Sequence, residues 1–208
     1  MLKGQQNTVK SKELKEAMAE IKKIRIQGNH LTAEMTHADL IQLGGYAAVE
    51  YCGGPQMVFR MGRLDIQGEP NVVKHEAESV YNSYNVSQLS KLNLAPEDYV
   101  ALIGGCHTLG FHGLDKKGAQ CRWTQNPYIF DNSYFKEAMM RDKSRYFKSD
   151  ADHKMMQNSE TKAWVEKYAD DNDLFFANFA KAHVALSELN CFDLMGEMNE
   201  EERVDGGY

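Results

Sequence analysis

Cysteine, proline and tryptophan are all scarce in this 208-residue sequence, which has four, four and two of them. Cys52, Cys106, Cys121 and Cys191 form no C-x-x-C pair and show no metal-ligand spacing. A disulfide framework is not expected in a chain this long and this poor in cysteine, so the reading is four free thiols in a reducing compartment. No apolar run is long enough to span a bilayer, and no apolar h-region marks a signal peptide. The basic start, MLKGQQNTVKSKELKEAM, has acidic residues early and runs straight into a helical pattern. It reads as mature protein, and the expected location is intracellular, with mitochondrion or plastid ahead of cytosol. The net charge of -6 gives no field that favours nucleic acid. Alternating strands, internal repeats and low-complexity blocks are lacking too.

The pattern that is present is helical. Leu14, Ala17, Met18, Ile21 and Ile24 recur on one face with Lys and Glu between them, and Gly28-Asn29 is the natural stop. Thr36 caps a second helix, Ala38 to Tyr51, closed by Gly53-Gly54-Pro55. Its centre, Leu40 to Val49, is nearly all apolar, which predicts deep burial. Met57 to Glu69 reads as loop and Glu76 to Leu92 as a broken helical stretch. Pro96 opens another helix at its first position, and Gly104-Gly105 is expected to end or kink it. Further helices are expected over Asn132–Met139, Thr161–Tyr168 and Asp173–Leu189. The fold class is therefore mainly α, as one domain over 1–208, with an N-terminal helix at 14–27 and an acidic tail at 190–208. Glu197 to Asp205 reads as solvated.

His107 in GGCHTLG, Trp123 in CRWTQNP and Asp152 in SDADHKMM carry little weight singly, since each is as well read as a satisfied polar residue. Their order and spacing carry more. ADLIQLGGYAAVEYCGGP, DYVALIGGCHTLG, WTQNPYIFDNSYFKE and WVEKYADDNDLFFANFAKAHVALSEL closely resemble the class I haem peroxidases, the ascorbate and cytochrome c peroxidases. The family-like region covers 36–189. The resemblance implies a truncated haem-peroxidase-like helical domain with haem b as cofactor. By it, His107 matches the proximal histidine that ligates haem iron, Trp123 the proximal indole, and Asp152 the carboxylate that holds both. A carboxylate on the far ring nitrogen fixes the tautomer of a ligating imidazole and makes it more electron-rich. The same resemblance implies a monovalent cation site, K+ or Na+, at Thr108, Thr124, Asn126, Ile129 (through its carbonyl) and Asp131. Oxygen donors of these kinds suit a hard cation. Read from the residues alone, Asn126 and Asp131 cap turns and the short helix.

The distal side of the resemblance is missing. The family places its peroxide-cleaving histidine and arginine on an early helix with a pattern like R-x-x-W-H. Here neither Trp123 nor Trp164 is followed by histidine, and the first helix already matches the family's third. No catalytic distal residue is therefore assigned. GGCHTLG has one residue more than the usual GGHTLG, at Cys106. GEPNVVKHEAESV stands where the family has G-R-L-P-D-A. Gly113 takes the place of a family histidine, with His112 one position early. Lys116 takes the place of the arginine that ascorbate peroxidases use for substrate, and is a weaker partner for a planar contact. PQMVFRMGRLD is closer to the cytochrome c peroxidase version of its loop.

Three readings follow. The chain is a peroxidase-like protein that acts when another polypeptide supplies the distal half; a non-catalytic structural subunit of an organellar, for example respiratory, complex; or a haem electron-transfer or sensor module. All three expect a hetero-oligomeric partner over the face of the Leu40–Val49 helix, and none expects nucleic acid or a transmembrane segment.

Overall fold

Four of the helices, those entered at Thr36, Ser149, Asn158 and Asp171, begin where the sequence puts a capping side chain. The computed structural model describes residues 12–28, 34–65, 94–114, 120–140 and 143–196. Seven α-helices lie among them: α1 (Lys12–Gln27), α2 (His37–Tyr51), α3 (Pro96–Thr108), α4 (Ser133–Met140), α5 (Asp150–Gln157), α6 (Ser159–Asp170) and α7 (Asn172–Ser187). The protein is mainly helical, as the sequence predicts. The strands among the described residues form two short antiparallel ribbons. Arg60–Met61 (β1) pairs with Met195–Gly196 (β4), and Phe111–Leu114 (β2) pairs with Gln120–Arg122 (β3). The stretch Glu76–Leu92 and the acidic Glu197–Asp205 lie outside the described residues. Contacts divide the chain into two units, one of residues 1–48, 58–72 and 190–208, the other of 49–57 and 73–189.

In the first unit, Thr36 Oγ1 accepts from Asp39 N at 3.0 Å, so the cap of α2 is the expected one. A second acceptor comes from Asp65, which takes the amides of His37 (3.2 Å) and Ala38 (2.9 Å) at the same helix end. Burial pushes the Asp65 carboxyl up, but these amides and the His37 ring outweigh it and hold it below its ordinary value. Asp39 turns the opposite way, toward the loop. It accepts from Gly62 N, Arg63 N and Arg63 Nη1 at 2.9, 3.2 and 2.9 Å. The deep burial predicted for α2 is not found. Asp39, Leu40 and Tyr46 are its buried residues, whereas Gly44, Gly45, Ala47 and Ala48 are exposed. Those four residues have little apolar surface to lose, so leaving them in water costs little.

The second unit is built around α3. Asp98 Oδ2 accepts from Ala95 N at 2.9 Å, and Pro96 fills the first helical position. Gly104-Gly105 does not end this helix, which runs on to Thr108. The pair serves packing instead. A Cβ on Gly104 would lie 2.0 Å from Phe135 Cζ, and one on Gly105 would lie 2.1 Å from Phe179 Cε2. These glycines let α4 and α7 bring their aromatic rings down onto the α3 backbone. Phe130, Phe135, Tyr168, Phe175 and Phe179 then form one aromatic core with Val100, Ile103 and Val165. Asn132 ties the start of α4 to the end of α6, its Nδ2 donating to Tyr168 O (3.0 Å) and Ala169 O (3.1 Å).

Gly104→Ala is expected to destabilise the protein by about 1–3 kcal/mol through overpacking. This exceeds the gain of about 1 kcal/mol that alanine brings to an exposed helix position. A lowered urea midpoint with an unchanged slope is the measurement. On α7, His183 packs against Phe179, and burial pushes its pKa below the ordinary 6.5. A base depressed in the folded state binds fewer protons there than in the unfolded chain. Its contribution is therefore intact above about pH 6.5 and falls away below it, down to the folded value. His183→Gln is expected to flatten stability against pH in that acidic window, as read by urea midpoints at pH 5 and 7.

Candidate functional site

Helix α5 begins with the sequence Ser149-Asp150-Ala151-Asp152, a capping box that the sequence reading passed over. Ser149 Oγ accepts from Asp152 N at 3.3 Å. In return Asp152 Oδ2 accepts from Ser149 N (2.6 Å) and Ser149 Oγ (2.8 Å). The cap thus fixes one oxygen of a carboxylate that is only 2% exposed. The other oxygen, Oδ1, faces the last turn of α3, where it meets His107 Nδ1 at 3.1 Å. The extra residue at Cys106 is exposed within the continuous helix and does not move His107 off this partner.

Trp123, buried after β3, lies flat on the His107 ring, with centroids 3.7 Å apart and planes 7° apart. His107, Trp123 and Asp152 therefore come together, but not in the hydrogen-bond pattern the resemblance implies. Among the hydrogen bonds of the described residues, Asp152 receives none from the indole. Its Oδ1 takes the hydroxyl of Tyr134 instead. A carboxylate has about four acceptor positions. Here His107, Tyr134 and the two Ser149 donors occupy them, and the indole is left with stacking.

Tyr134 is fully buried on α4 and sets its ring edge-on to His107 at 5.3 Å. The sequence reading missed its role, although it sits inside the quoted IFDNSYF block. Lys148 was missed as well. Its Nζ donates to Trp123 O (3.2 Å) and Phe147 O (3.1 Å) and lies 5.5 Å from the Tyr134 ring centre. His112 stacks on Phe147 at 3.9 Å and meets Trp123 edge-on at 5.3 Å, so the early histidine walls the indole.

The electrostatics follow from burial and these bonds. Burial pushes the Asp152 carboxyl up, but His107, Tyr134 and Ser149 together hold it below its ordinary value. Burial and the adjacent carboxylate push the Tyr134 hydroxyl well up, so it stays a donor. Tyr99 is pushed up to about 12 for the same two reasons. Burial lowers Lys148, against the pull of Asp152 and Glu137. With Nδ1 of His107 committed to Asp152, Nε2 is the ring nitrogen that remains for a metal. Among the described residues, no three His, Cys, Asp or Glu converge on a metal position. A single nitrogen ligand with a carboxylate behind it suits an iron that brings its own equatorial ligands, as haem does. A cleft of about 490 Å³ also adjoins Asp152, lined by Lys148, His153, Met156 and Lys162, but neither His107 nor Trp123 lines it.

Four of the five candidate cation ligands lie in one bonded network. Thr124 Oγ1 donates to Thr108 O (3.3 Å) and Asn126 O (3.2 Å), and Thr108 Oγ1 donates to Asp131 O (2.8 Å). Asn126 Oδ1 accepts from Tyr128 N, and Asp131 Oδ1 from Ser133 N, so both also cap turns. The Ile129 side chain is half exposed, and its position follows directly on this network. Lys116 lies outside the described residues.

The chain is similar to known proteins over most of its length. The family model described as peroxidase matches residues 1–171. An L-ascorbate peroxidase 2, cytosolic, of Oryza sativa subsp. japonica is 40% identical over 157 residues, covering 74% of this chain and 62% of that protein. The Arabidopsis thaliana L-ascorbate peroxidase 2, cytosolic, is 38% identical over 159 residues, covering 76% and 63%. A Cryptococcus neoformans protein provisionally named a heme-binding peroxidase is 33% identical over 163 residues, covering 74% and 51%. The chain belongs to the peroxidase family, in the class I group to which the ascorbate peroxidases belong. It spans about 62–63% of the length of the first two relatives. Their cytosolic names give no support to a mitochondrion or plastid. No helix among the described residues is long and apolar enough to cross a membrane.

Proposed function

We propose that this chain carries the proximal half of a haem peroxidase site, with His107 Nε2 as the iron ligand. The single observation behind this reading is the His107–Asp152 hydrogen bond at 3.1 Å with Trp123 stacked on the same imidazole. Haem, when bound, supplies the redox chemistry of peroxide reduction. The chain's own residues hold and tune the ligand. Asp152 fixes the Nδ1–H tautomer, leaves Nε2 as a lone-pair donor, and makes the ring more electron-rich. Trp123 and Tyr134 wall the imidazole on its face and edge and keep it from rotating. Thr108, Thr124, Asn126, Ile129 and Asp131 are the proposed holders of a K+ or Na+ ion beside this helix.

The sequence contains no R-x-x-W-H pattern, and the proton shuttle of peroxide cleavage is proposed to come from another polypeptide. Without it, turnover falls by the worth of general acid–base catalysis, typically about 10²- to 10⁴-fold. An intracellular, reducing compartment fits the four free thiols and the relatives' cytosolic names.

Haem titration tests the reading. The chain is expected to develop a Soret band at one equivalent, and His107→Ala to abolish its histidine-ligated form. Peroxide turnover with ascorbate or cytochrome c is expected to stay slow. A chain that takes up no haem sinks the proposal and leaves the structural-subunit reading.

A further inference from the structure

We propose that Tyr134 is a positioning residue that shares the Asp152 carboxylate with His107 and thereby limits how strongly His107 donates to a bound iron. This rests on the haem-ligand reading above. Both groups bond the same oxygen, Asp152 Oδ1, while Oδ2 is held by Ser149. A carboxylate oxygen with one charge-assisted donor puts most of its negative charge on that donor. With two donors it divides the charge, and each bond is weaker than it would be alone. The His107 N–H is therefore less polarised, and the ring less imidazolate-like, than the His107–Asp152 pair by itself would make it.

The tyrosine is built for this task. Its side chain is 0% exposed, so water does not substitute for its hydroxyl. Phe135 packs edge-on to it at 5.3 Å, His107 meets it edge-on at 5.3 Å, and the Lys148 ammonium lies 5.5 Å from its ring centre. These contacts leave the hydroxyl one direction to point. The hydroxyl also remains a donor, because the buried carboxylate beside it opposes its ionisation. Electron richness of an axial histidine stabilises ferric over ferrous iron, and hydrogen bonds behind the ligand are the means of adjusting it.

The test reconstitutes the full chain with haem and compares the unsubstituted protein with Tyr134→Phe, Asp152→Asn and the double variant. Three quantities are read: Soret uptake, the ferric/ferrous midpoint potential, and the iron–histidine stretching frequency. Tyr134→Phe keeps the ring and is expected to take up haem normally. Its ferric form is expected to gain about tenfold over the ferrous, a potential about 59 mV lower, with a raised stretching frequency. In the Asp152→Asn background the same change is expected to add nothing, because the shared oxygen no longer carries the charge. Site-specific 3-fluorotyrosine at position 134, a stronger donor of nearly the same shape, is expected to raise the potential; this arm stands even where Tyr134→Phe fails to fold. A Tyr134→Phe protein with less thermal stability but an unchanged potential and stretch overturns the proposal, as does an equal shift in the Asp152→Asn background. Failure of the unsubstituted chain to take up haem overturns the ligand reading itself, an outcome visible before any potential is measured.

Discussion

Asp152→Ala is expected to cost both stability and haem affinity, and the two losses are separable. The carboxylate closes the α5 cap, orients His107 and satisfies Tyr134. Losing the carboxylate's half of the capping box costs about 0.5–1.5 kcal/mol, since Ser149 Oγ still accepts from the amide of residue 152. Leaving the buried Tyr134 hydroxyl without an acceptor costs about 1–3 kcal/mol more. Relief of the carboxylate's own burial returns part of this, so a net loss of about 2–4 kcal/mol is expected. Haem affinity is expected to fall a further 10- to 100-fold, the usual cost of removing the partner behind a metal-ligating histidine. Asp152→Asn separates the two effects. Its amide oxygen can still cap α5 or accept from one donor, so stability falls less while haem affinity and ligand strength still drop. Urea denaturation of the haem-free chain reads the first term, and Soret titration reads the second. An Asp152→Ala protein that binds haem as tightly as the unsubstituted chain would show that the Trp123 and Tyr134 rings hold His107 without the carboxylate.

Much of this site was legible in the sequence because its residues announce themselves by order. His107, Trp123 and Asp152 stand in separate blocks, and a pattern of blocks survives a one-residue insertion at Cys106. The helix absorbed that insertion by exposing the cysteine, an outcome that spacing alone does not give. The donor set around Asp152 was not legible. Tyr134 reads as a core aromatic like Phe130 or Phe135, and its hydroxyl earns a role only once α4 and α5 are packed together. Helix α5 had a usable signal in Ser149-Asp150-Ala151-Asp152, but Asp152 was read for its chemistry and its capping role was overlooked. The glycine pair misled for a different reason. Propensity treats Gly104-Gly105 as a helix break, whereas the rings of Phe135 and Phe179 take the space that Cβ atoms there would fill, and the helix runs on through both glycines. Tertiary contact overrode local preference there. It also failed to bury α2 as its apolar centre predicts, since glycine and alanine count as apolar yet lose little by facing water.

Asp39→Ala is expected to be among the most damaging single substitutions in the first unit. Asp39 and Arg63 form an ion pair at 2.9 Å with side chains 3% and 5% exposed. The carboxylate also takes the amides of Gly62 and Arg63, so it fixes the backbone where Gly62 adopts φ 121°. A positive φ of that kind suits glycine, and the turn it makes brings Arg63 back under α2. Removing Asp39 takes the carboxylate away from a buried guanidinium that also donates to Arg60 O (2.5 Å) and lies 5.4 Å from the Phe59 ring centre. Breaking a buried pair from one side costs about 3–5 kcal/mol, because the surviving charge stays desolvated. That is a large share of a domain stability of about 5–15 kcal/mol. For a chain of this length it lowers the melting temperature by on the order of 10 °C. Removing both charges is a different matter. Asp39→Leu with Arg63→Met is expected to recover most of the loss, since apolar replacements of a buried pair are often neutral. What the double variant does not restore is the acceptor for the Gly62 and Arg63 amides, so about 1–2 kcal/mol should remain. Thermal and urea unfolding of Asp39→Leu, Arg63→Met and the double variant close the cycle. Equal damage in Asp39→Ala and the double variant would assign the effect to the backbone amides and not to the stranded charge.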